Sequence, residues 1–190
     1  VVPGKPLDPA LAEEDVAAVE QGAENLVKQI ENARLFGVPV VVAINLFATD
    51  TDREIRAIEK IALENGAYAC AVSEVWAKGG AGGRELAEAV VRACDEPKNF
   101  RFLYPLDIPI KEKIEIIATK IYGADGVVYE EGVEEKIRRF TEFGWDGLPI
   151  CMAKTHLSLS HDPRLKGRPR GFRLPIKDIR PAIGAGFLYP

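Results

Sequence analysis

The chain has 190 residues, 47% hydrophobic and 28% charged, which are the proportions of an ordinary globular protein. Its formal net charge of −4 argues against a nucleic-acid or anionic-membrane surface, because both need an excess of Lys and Arg. A small anionic substrate is still compatible with this charge. No segment approaches the ~20 apolar residues of a membrane span and the first residues do not resemble a signal peptide, so we expect a cytoplasmic protein.

The first predicted element is a long helix. Asp8 is a candidate N-cap, Pro9 stands at the first helical position, and Gly37 ends the helix. Between them, apolar residues recur at three- and four-residue spacing and form one stripe: Val19, Ala23, Leu26, Ile30 and Ala33.

A strand and a second helix follow. Residues 38–45 form a β-branched run that is apolar at nearly every position, which predicts a parallel strand buried on both faces. Thr51 and Glu54 have the spacing of a capping box, and Gly66 ends the helix that they begin.

The next predicted elements are a short strand, a glycine-rich loop and a helix, over residues 67–72, 78–83 and about 84–94. Alternating strands and helices of this kind predict an α/β region with a doubly wound, mostly parallel sheet over residues 1–96.

A smaller α+β region is expected over residues 97–190, because the pattern loosens after Pro97. Its predicted elements are a helix at 110–122, a short strand at 127–128, a helix at 133–143, a buried strand at 148–153 and a long basic loop at 154–172. The apolar final residues, 183–190, lack a polar tail and predict a truncated C-terminus.

Two aromatic residues stand where ligands of open α/β sheets bind, beyond the carboxyl ends of strands. Phe47 lies two residues past Asn45, and Trp76 lies four residues past Val72. If the two strands are neighbours, the rings face each other and can hold a flat heteroaromatic, at about 0.5–1.5 kcal/mol per ring contact beyond area burial. The alternative is that both rings cover the end of the core.

The glycine-rich loop is a candidate anion site. It leads into a helix N-terminus, its glycines let backbone N–H groups approach a ligand, and Lys78 adds a cation beside Gly79 and Gly80. A flexible turn is the alternative. The chain contains no G-x-x-x-x-G-K-[ST] motif, so this is not a Walker A loop.

The long basic loop offers further candidates. Lys154 and Thr155 follow the predicted strand at 148–153 and either contact a ligand or lie in solvent. Four basic residues beyond them either meet a polyanionic ligand or form a solvated face: Arg164, Lys166, Arg168 and Arg170.

No metal site, triad or disulfide is predicted. His156 and His161 match no common zinc spacing, and Ser158 and Ser160 have no oriented His–Asp partner in the sequence. The cysteines lie far apart without C-x-x-C spacing, which predicts reduced, partly buried thiols: Cys70, Cys94 and Cys151.

Five segments occur in one order over nearly the whole chain: VPVVVAIN at 38–45, VSEVWAKGG at 72–80, IYGADGV at 121–127, MAKT at 152–155 and GAGF at 184–187. Together they resemble the formate–tetrahydrofolate ligase (formyltetrahydrofolate synthetase) family. The resemblance implies a P-loop NTPase-like sheet and an ATP-dependent reaction. In it, formate becomes formyl phosphate, and N10 of tetrahydrofolate then takes the formyl group.

The resemblance also implies roles for residues. The folate ring system would stack between Phe47 and Trp76. The resemblance names no base, but Glu74 is close enough in the sequence to be a candidate, with a solvent-facing or capping role as the alternative. Further lining of the cleft would come from Asn45, Lys78, Gly79, Gly80, Lys154 and Thr155. Tetrahydrofolate and ATP with Mg²⁺ are the implied substrates, no metal site is expected in this chain, and a homo-oligomer is expected for the complete enzyme.

Some features depart from the family pattern. Ala48 stands where the family usually has Pro, His156 and His161 stand where it tends to have Gln and Asp, and one extra residue is expected near 68–71. The phosphate loop is absent, so we expect an internal fragment without ligase activity. The alternatives are an independent folate- or nucleotide-binding module and one half of a split enzyme.

Overall fold

The computed structural model describes residues 9–152 and 159–190, and the chain divides into two compact units, residues 1–101 and residues 102–190. Helices and small parallel sheets make the protein α/β, which confirms the predicted class. The described strands form three two-stranded sheets, two parallel and one antiparallel. None of the described helices is long and apolar enough to cross a membrane.

The single long helix predicted at the start of the chain is wrong. Asp15 begins a helix, because its carboxylate accepts a hydrogen bond from the Ala18 N–H at 2.9 Å. A second helix begins just after Gly22, a residue with low helix propensity. The candidate cap Asp8 lies outside the described residues. The observed elements are a 3-10 helix at Pro9–Ala12, α1 at Val16–Gly22 and α2 at Glu24–Arg34.

Gly37 follows α2 in the left-handed region, with φ of +70°. A Cβ atom at this position would lie 1.8 Å from the carbonyl oxygen of Asn99, so only glycine fits. The two residues are also joined by a hydrogen bond, which the Asn99 N–H donates to the Gly37 carbonyl at 3.0 Å.

The next three elements are β1 at Val41–Asn45, α3 at Asp52–Glu64 and β2 at Ala69–Ser73. The predicted capping box is confirmed. The Thr51 hydroxyl accepts from the Glu54 N–H at 3.3 Å, and the Glu54 carboxylate accepts from the Thr51 N–H at 3.0 Å. Strands β1 and β2 are parallel neighbours in a regular register that contains no bulge.

The predicted burial of β1 on both faces is wrong. Val42 is buried in a core cluster with Ile30 of α2 and Ala62 of α3. Ala43 and Asn45, which point to the other face, are exposed. The alternation follows from the period of two in a strand, because helices α2 and α3 supply apolar partners on one face.

The segment after β2 is more regular than the loop that was predicted. It consists of α4 at Val75–Lys78, a 3-10 helix at Gly79–Gly83 and α5 at Arg84–Asp95. Helix α5 agrees with its prediction to within one residue and buries Ala89 and Ala93.

The second unit has the larger described core. Its helices are α6 at Ile110–Ile116, extended by a π-helical turn at Ile117–Ile121, and α7 at Val133–Glu142. Its strands are β3 at Val127–Tyr129, β4 at Leu174–Ile176, β5 at Arg180–Ala182 and β6 at Phe187–Tyr189. Strands β3 and β4 are parallel, and β5 and β6 are antiparallel. Both predicted helices and the predicted strand at 127–128 are therefore confirmed.

The buried strand predicted at 148–153 is wrong for the residues that the structure describes. Only Ile150 forms a bridge, to Leu188 of β6. The Ile150 N–H also donates to the Tyr104 hydroxyl at 3.0 Å. A side chain thus satisfies a backbone donor that a second neighbouring strand would otherwise pair.

Two further side chains hold this segment by its backbone. The ammonium of Lys113 is fully buried and donates to the carbonyls of Asp146 and Leu148. Burial lowers the pKa of Lys113 from its ordinary value. The Tyr122 hydroxyl donates to the Met152 carbonyl at 2.9 Å. These hydrogen bonds hold the segment in place although it forms neither a helix nor a continuous strand.

Candidate functional site

Phe47 is held in a tight turn just beyond β1. Its N–H donates to the Asp50 carboxylate at 2.8 Å, and the Asp50 N–H donates back to the Phe47 carbonyl at 3.1 Å. The turn ends at Thr51, the N-cap residue of α3, so the backbone is held on both sides of Phe47, by β1 and by α3. Its ring is 59% exposed, which rules out the alternative that it covers the end of the core.

Trp76 lies in α4, the one-turn helix that follows β2. The Glu74 carbonyl accepts hydrogen bonds from the N–H groups of Ala77 and Lys78, at 3.0 and 2.8 Å. These bonds close the turn, and the indole projects from it with 74% of its surface exposed. Neither aromatic residue is therefore part of the packed interior.

The parallel pairing places both residues beyond the same edge of the sheet. Asn45 and Ser73 are opposite each other in the register, and the Leu46 N–H extends the ladder by donating to the Ser73 carbonyl at 3.0 Å. Phe47 and Trp76 thus follow the carboxyl ends of two neighbouring strands, where ligands of α/β sheets bind. Two exposed rings at such an edge can cover a planar ligand, because aromatic faces stack on heteroaromatic ones.

Gly82 fixes the loop that carries Trp76. Its carbonyl accepts from the Glu74 N–H at 3.0 Å, and a Cβ atom on Gly82 would lie 2.5 Å from the Glu74 carbonyl oxygen. Gly79 has φ of +59°, where side chains are strained. Gly80 has open space around it. Gly82 is thus needed for the close approach to the Glu74 backbone, and Gly79 is needed for its positive φ.

The candidate base and the candidate cation are bound to each other. The Lys78 ammonium lies 2.7 Å from the Glu74 carboxylate, and both side chains are partly exposed. The pair leaves the charge of Lys78 largely compensated, which weakens the predicted anion site.

The remaining candidates are not brought to this edge by any described contact. Lys154, Thr155, His156 and Ser158 lie outside the described residues. Their neighbour Ser160 is buried and donates to the Asp162 carbonyl at 2.9 Å, a local turn contact. In the basic run, the Arg164 guanidinium lies 2.7 Å from the Asp162 carboxylate. This ion pair holds the pKa of Asp162 at about 2.

Metal and thiol chemistry find little support among the described side chains. They contain no group of three or more His, Cys, Asp or Glu residues that could hold a metal ion. Cys70 is half-buried, and burial raises its pKa to about 11, so it is a protonated thiol at neutral pH. Cys94 and Cys151 are exposed, which corrects the prediction of partial burial for those two.

Sequence reasoning missed Asp50. Its carboxylate anchors the turn that presents Phe47, and a signal for it was available, because Asp is a common turn residue whose side chain hydrogen-bonds to nearby backbone groups.

Comparison with known proteins places the chain in a well-populated family. A family model described as formate–tetrahydrofolate ligase matches residues 2–190. A formate–tetrahydrofolate ligase of Desulforamulus reducens is 55% identical and one of Roseiflexus castenholzii is 52% identical, each over all 190 residues. A cytoplasmic C-1-tetrahydrofolate synthase of Mus musculus is 53% identical over the same length.

The relatives are much longer than this chain. The 190 residues cover 34% of the two bacterial ligases and 20% of the mouse protein. The chain thus spans about a third of the curated bacterial relatives that it matches.

Proposed function

Because this chain belongs to the formate–tetrahydrofolate ligase family, we propose that it supplies the tetrahydrofolate site of such a ligase. The complete reaction converts formate and ATP to formyl phosphate and ADP. N10 of tetrahydrofolate then displaces phosphate and takes the formyl group. The 190 residues contain no Walker A motif, so we propose that they have no ligase activity by themselves.

The observation that carries the proposal is the position of Phe47 and Trp76. Both rings are more than half exposed, and both follow the carboxyl ends of neighbouring parallel strands. The pterin ring of tetrahydrofolate is planar, and burying both of its faces against these rings would supply about 1–3 kcal/mol beyond area burial. The α/β region over residues 1–96 would then be a folate-site region, and a doubly wound, P-loop NTPase-like sheet in the complete enzyme belongs to the same proposal.

Polar residues near the two rings have secondary roles in this proposal. Glu74 is a candidate to accept the proton that N10 loses on formyl transfer, and its contact with Lys78 would hold the carboxylate in place. The cleft would further be lined by Asn45, Gly79 and Gly80. None of these is a metal ligand in the proposal, and Mg²⁺ would accompany ATP.

The setting of the enzyme is part of the same proposal. We place it in the cytoplasm, because the mouse relative is named as a cytoplasmic synthase. Its partners would be small-molecule substrates, rather than nucleic acid or membrane, and the complete enzyme would be a homo-oligomer.

Tryptophan fluorescence tests the folate site. Titration with tetrahydrofolate should quench the emission of Trp76 with a saturable curve, and Trp76→Phe should abolish the saturable part. Trp145 contributes a background, since it is half-buried with ring centroids 5.5 Å from Phe140 and 5.0 Å from Phe143. Trp145→Phe should therefore remove emission without changing the titration midpoint.

Phe47→Ala has a matched control in the same unit. Phe47 and Phe100 are each 59% exposed, so their substitution removes equal exposed ring surface. Phe47→Ala should weaken tetrahydrofolate binding about tenfold, consistent with loss of one ring contact and its buried area, whereas Phe100→Ala should leave it within twofold. Equal effects of the two changes would refute the proposed site.

A further inference from the structure

Ser73, the last residue of β2, is a buried polar residue that the proposed function does not use. It is 7% exposed, so more than nine-tenths of its surface is covered. Among the residues that the structure describes, none donates a hydrogen bond to the Ser73 hydroxyl or accepts one from it. The hydroxyl oxygen nevertheless reaches the surface, because no fully buried side-chain oxygen without a partner occurs at this position in the described part of the chain.

Ser73 lies at the carboxyl end of the sheet, where both aromatic residues of the proposed site follow. Its register partner is Asn45, the last residue of β1. Partners in a parallel register point to the same face of the sheet, since successive side chains alternate in both strands. Phe47 follows Asn45 by two residues, and Trp76 follows Ser73 by three. Two polar side chains therefore share one face at the edge that the two rings follow.

The backbone around Ser73 is held by hydrogen bonds, whereas its side chain is not. The Ser73 carbonyl accepts from the Leu46 N–H at 3.0 Å, and the next residue, Glu74, donates its N–H to the Gly82 carbonyl at 3.0 Å. The exposed Asn45 side chain likewise forms no hydrogen bond with any residue that the structure describes. A hydroxyl and an amide can each donate and accept, so both kinds of contact are available to a ligand at this edge.

A largely buried hydroxyl without a partner is unfavourable for folding. It has lost most of its contact with water and has gained no hydrogen bond within the protein. Alanine would occupy the same place in β2 without this disadvantage. The hydroxyl therefore indicates a role in binding, in which a ligand supplies the missing partner, rather than a role in stability.

We propose that Ser73 is a specificity-determining residue of the folate site, an inference that rests on the proposed function. If Phe47 and Trp76 cover the two faces of the pterin ring, its edge is left for hydrogen bonds. The Ser73 hydroxyl, with the Asn45 amide beside it, would bind the edge that carries the amino and oxo groups. Such contacts select a pterin over flat rings without those groups, because a polar site rejects a ligand that leaves its groups unpaired.

Titration of Ser73→Ala with tetrahydrofolate, followed by the fluorescence of Trp76, tests the contact. Binding should weaken about fivefold, the effect of losing one neutral hydrogen bond. The Tm of the free chain should not fall, because no hydrogen bond within the protein is lost. A structural role for the hydroxyl would instead lower the Tm, so the two measurements together separate binding from stability.

Thr49→Val is the matched control for the loss of a hydroxyl. Thr49 is exposed in the turn after β1, and its hydroxyl also forms no hydrogen bond within the described part of the chain. Valine keeps the shape of threonine, so only the hydroxyl is removed. This variant should change tetrahydrofolate binding by less than about twofold.

A double variant separates a direct contact from an effect through the neighbouring ring. Ser73→Ala combined with Phe47→Ala should weaken binding by the product of the two single effects, about fiftyfold, because independent contacts add in free energy. A loss no greater than that of Phe47→Ala alone would show that Ser73 acts by holding Phe47, and it would overturn the direct contact.

Two other results would also overturn the role of Ser73. One is that Ser73→Ala binds tetrahydrofolate as tightly as the parent chain, and the other is that its Tm falls by about 4 °C or more. Failure of the parent chain to bind tetrahydrofolate is a different outcome, since it removes the proposed function and this inference with it. If the parent chain and Ser73→Ala bind equally, only the role of Ser73 is lost.

Discussion

The two units differ most in how they use their large apolar side chains. In the first unit, the described core cluster consists of Ile30, Val42, Ala62 and Ala67, and two large rings are left in solvent at the strand ends. In the second unit, one cluster joins helices α6 and α7 to strands β3, β4 and β6. An exposed ring gains little from folding. The larger described core therefore lies in the second unit, and the two rings at the strand ends of the first unit are free to contact a ligand, as the proposed function requires.

An isoleucine in each unit tests this contrast with the largest expected effect. Ile114 is fully buried in α6, so Ile114→Ala should lower the unfolding free energy by about 3 kcal/mol. Ile58 of α3 is only half-buried, and Ile58→Ala should cost about 1 kcal/mol. Hydrogen exchange measured on peptides from each unit would separate the two losses. Equal costs would contradict the assignment of the larger core to the second unit.

A glycine pair sharpens the description of the first unit. Gly82→Ala would place Cβ 2.5 Å from the Glu74 carbonyl oxygen and should cost about 2 kcal/mol, because the backbone around Trp76 must shift. Gly80→Ala meets nothing within 4 Å and should change stability by only a few tenths of a kcal/mol. Thermal unfolding of both variants measures the difference. A tolerated Gly82→Ala would show that this loop is not fixed as described.

The capping box gives a smaller effect in the same unit. Thr51→Ala removes the hydroxyl that caps α3 and should cost about 1 kcal/mol in urea unfolding. Thr49→Ala, an exposed position two residues earlier, should be neutral. If the two variants were equally stable, the box would contribute nothing to holding the Phe47 turn.

The smallest effect is a pH dependence in the second unit. Hydrogen bonds from Lys136, then Arg180 and the Ile179 N–H, hold the pKa of Asp178 at about 2, below its ordinary value of about 3.9. Since the folded pKa is the lower one, the stabilisation is present above about pH 4 and is lost as pH falls towards about 2. The urea midpoint should therefore fall more steeply in this window for the parent chain than for Asp178→Asn. Parallel profiles would rule out this linkage.

Local signals in the sequence predicted local structure well. The Thr51 and Glu54 capping box, helix α5 and helix α7 need only neighbouring residues, and all three are confirmed. The position of Phe47 and Trp76 at one sheet edge also followed from the sequence, once β1 and β2 were assumed to be neighbours. Their roles in binding remain a prediction.

Most of the wrong predictions depended on distant partners, although the single helix predicted at the start of the chain was a local prediction and was also wrong. The apolar run of β1 could not show that only one of its faces is covered. Residues 148–152 have the composition of a strand, but Lys113 and Tyr122 hold their backbone instead. Strands β4 and β5 were not predicted; each contains a proline, which is unusual in the middle of a sheet but is tolerated in a two-stranded one.

A crystal structure of the chain with tetrahydrofolate would test the central claim most directly. We predict that the pterin ring lies between Phe47 and Trp76, with each ring plane about 3.5 Å from it. A complex in which tetrahydrofolate is bound elsewhere, or in which only one of the two rings contacts it, would contradict the account.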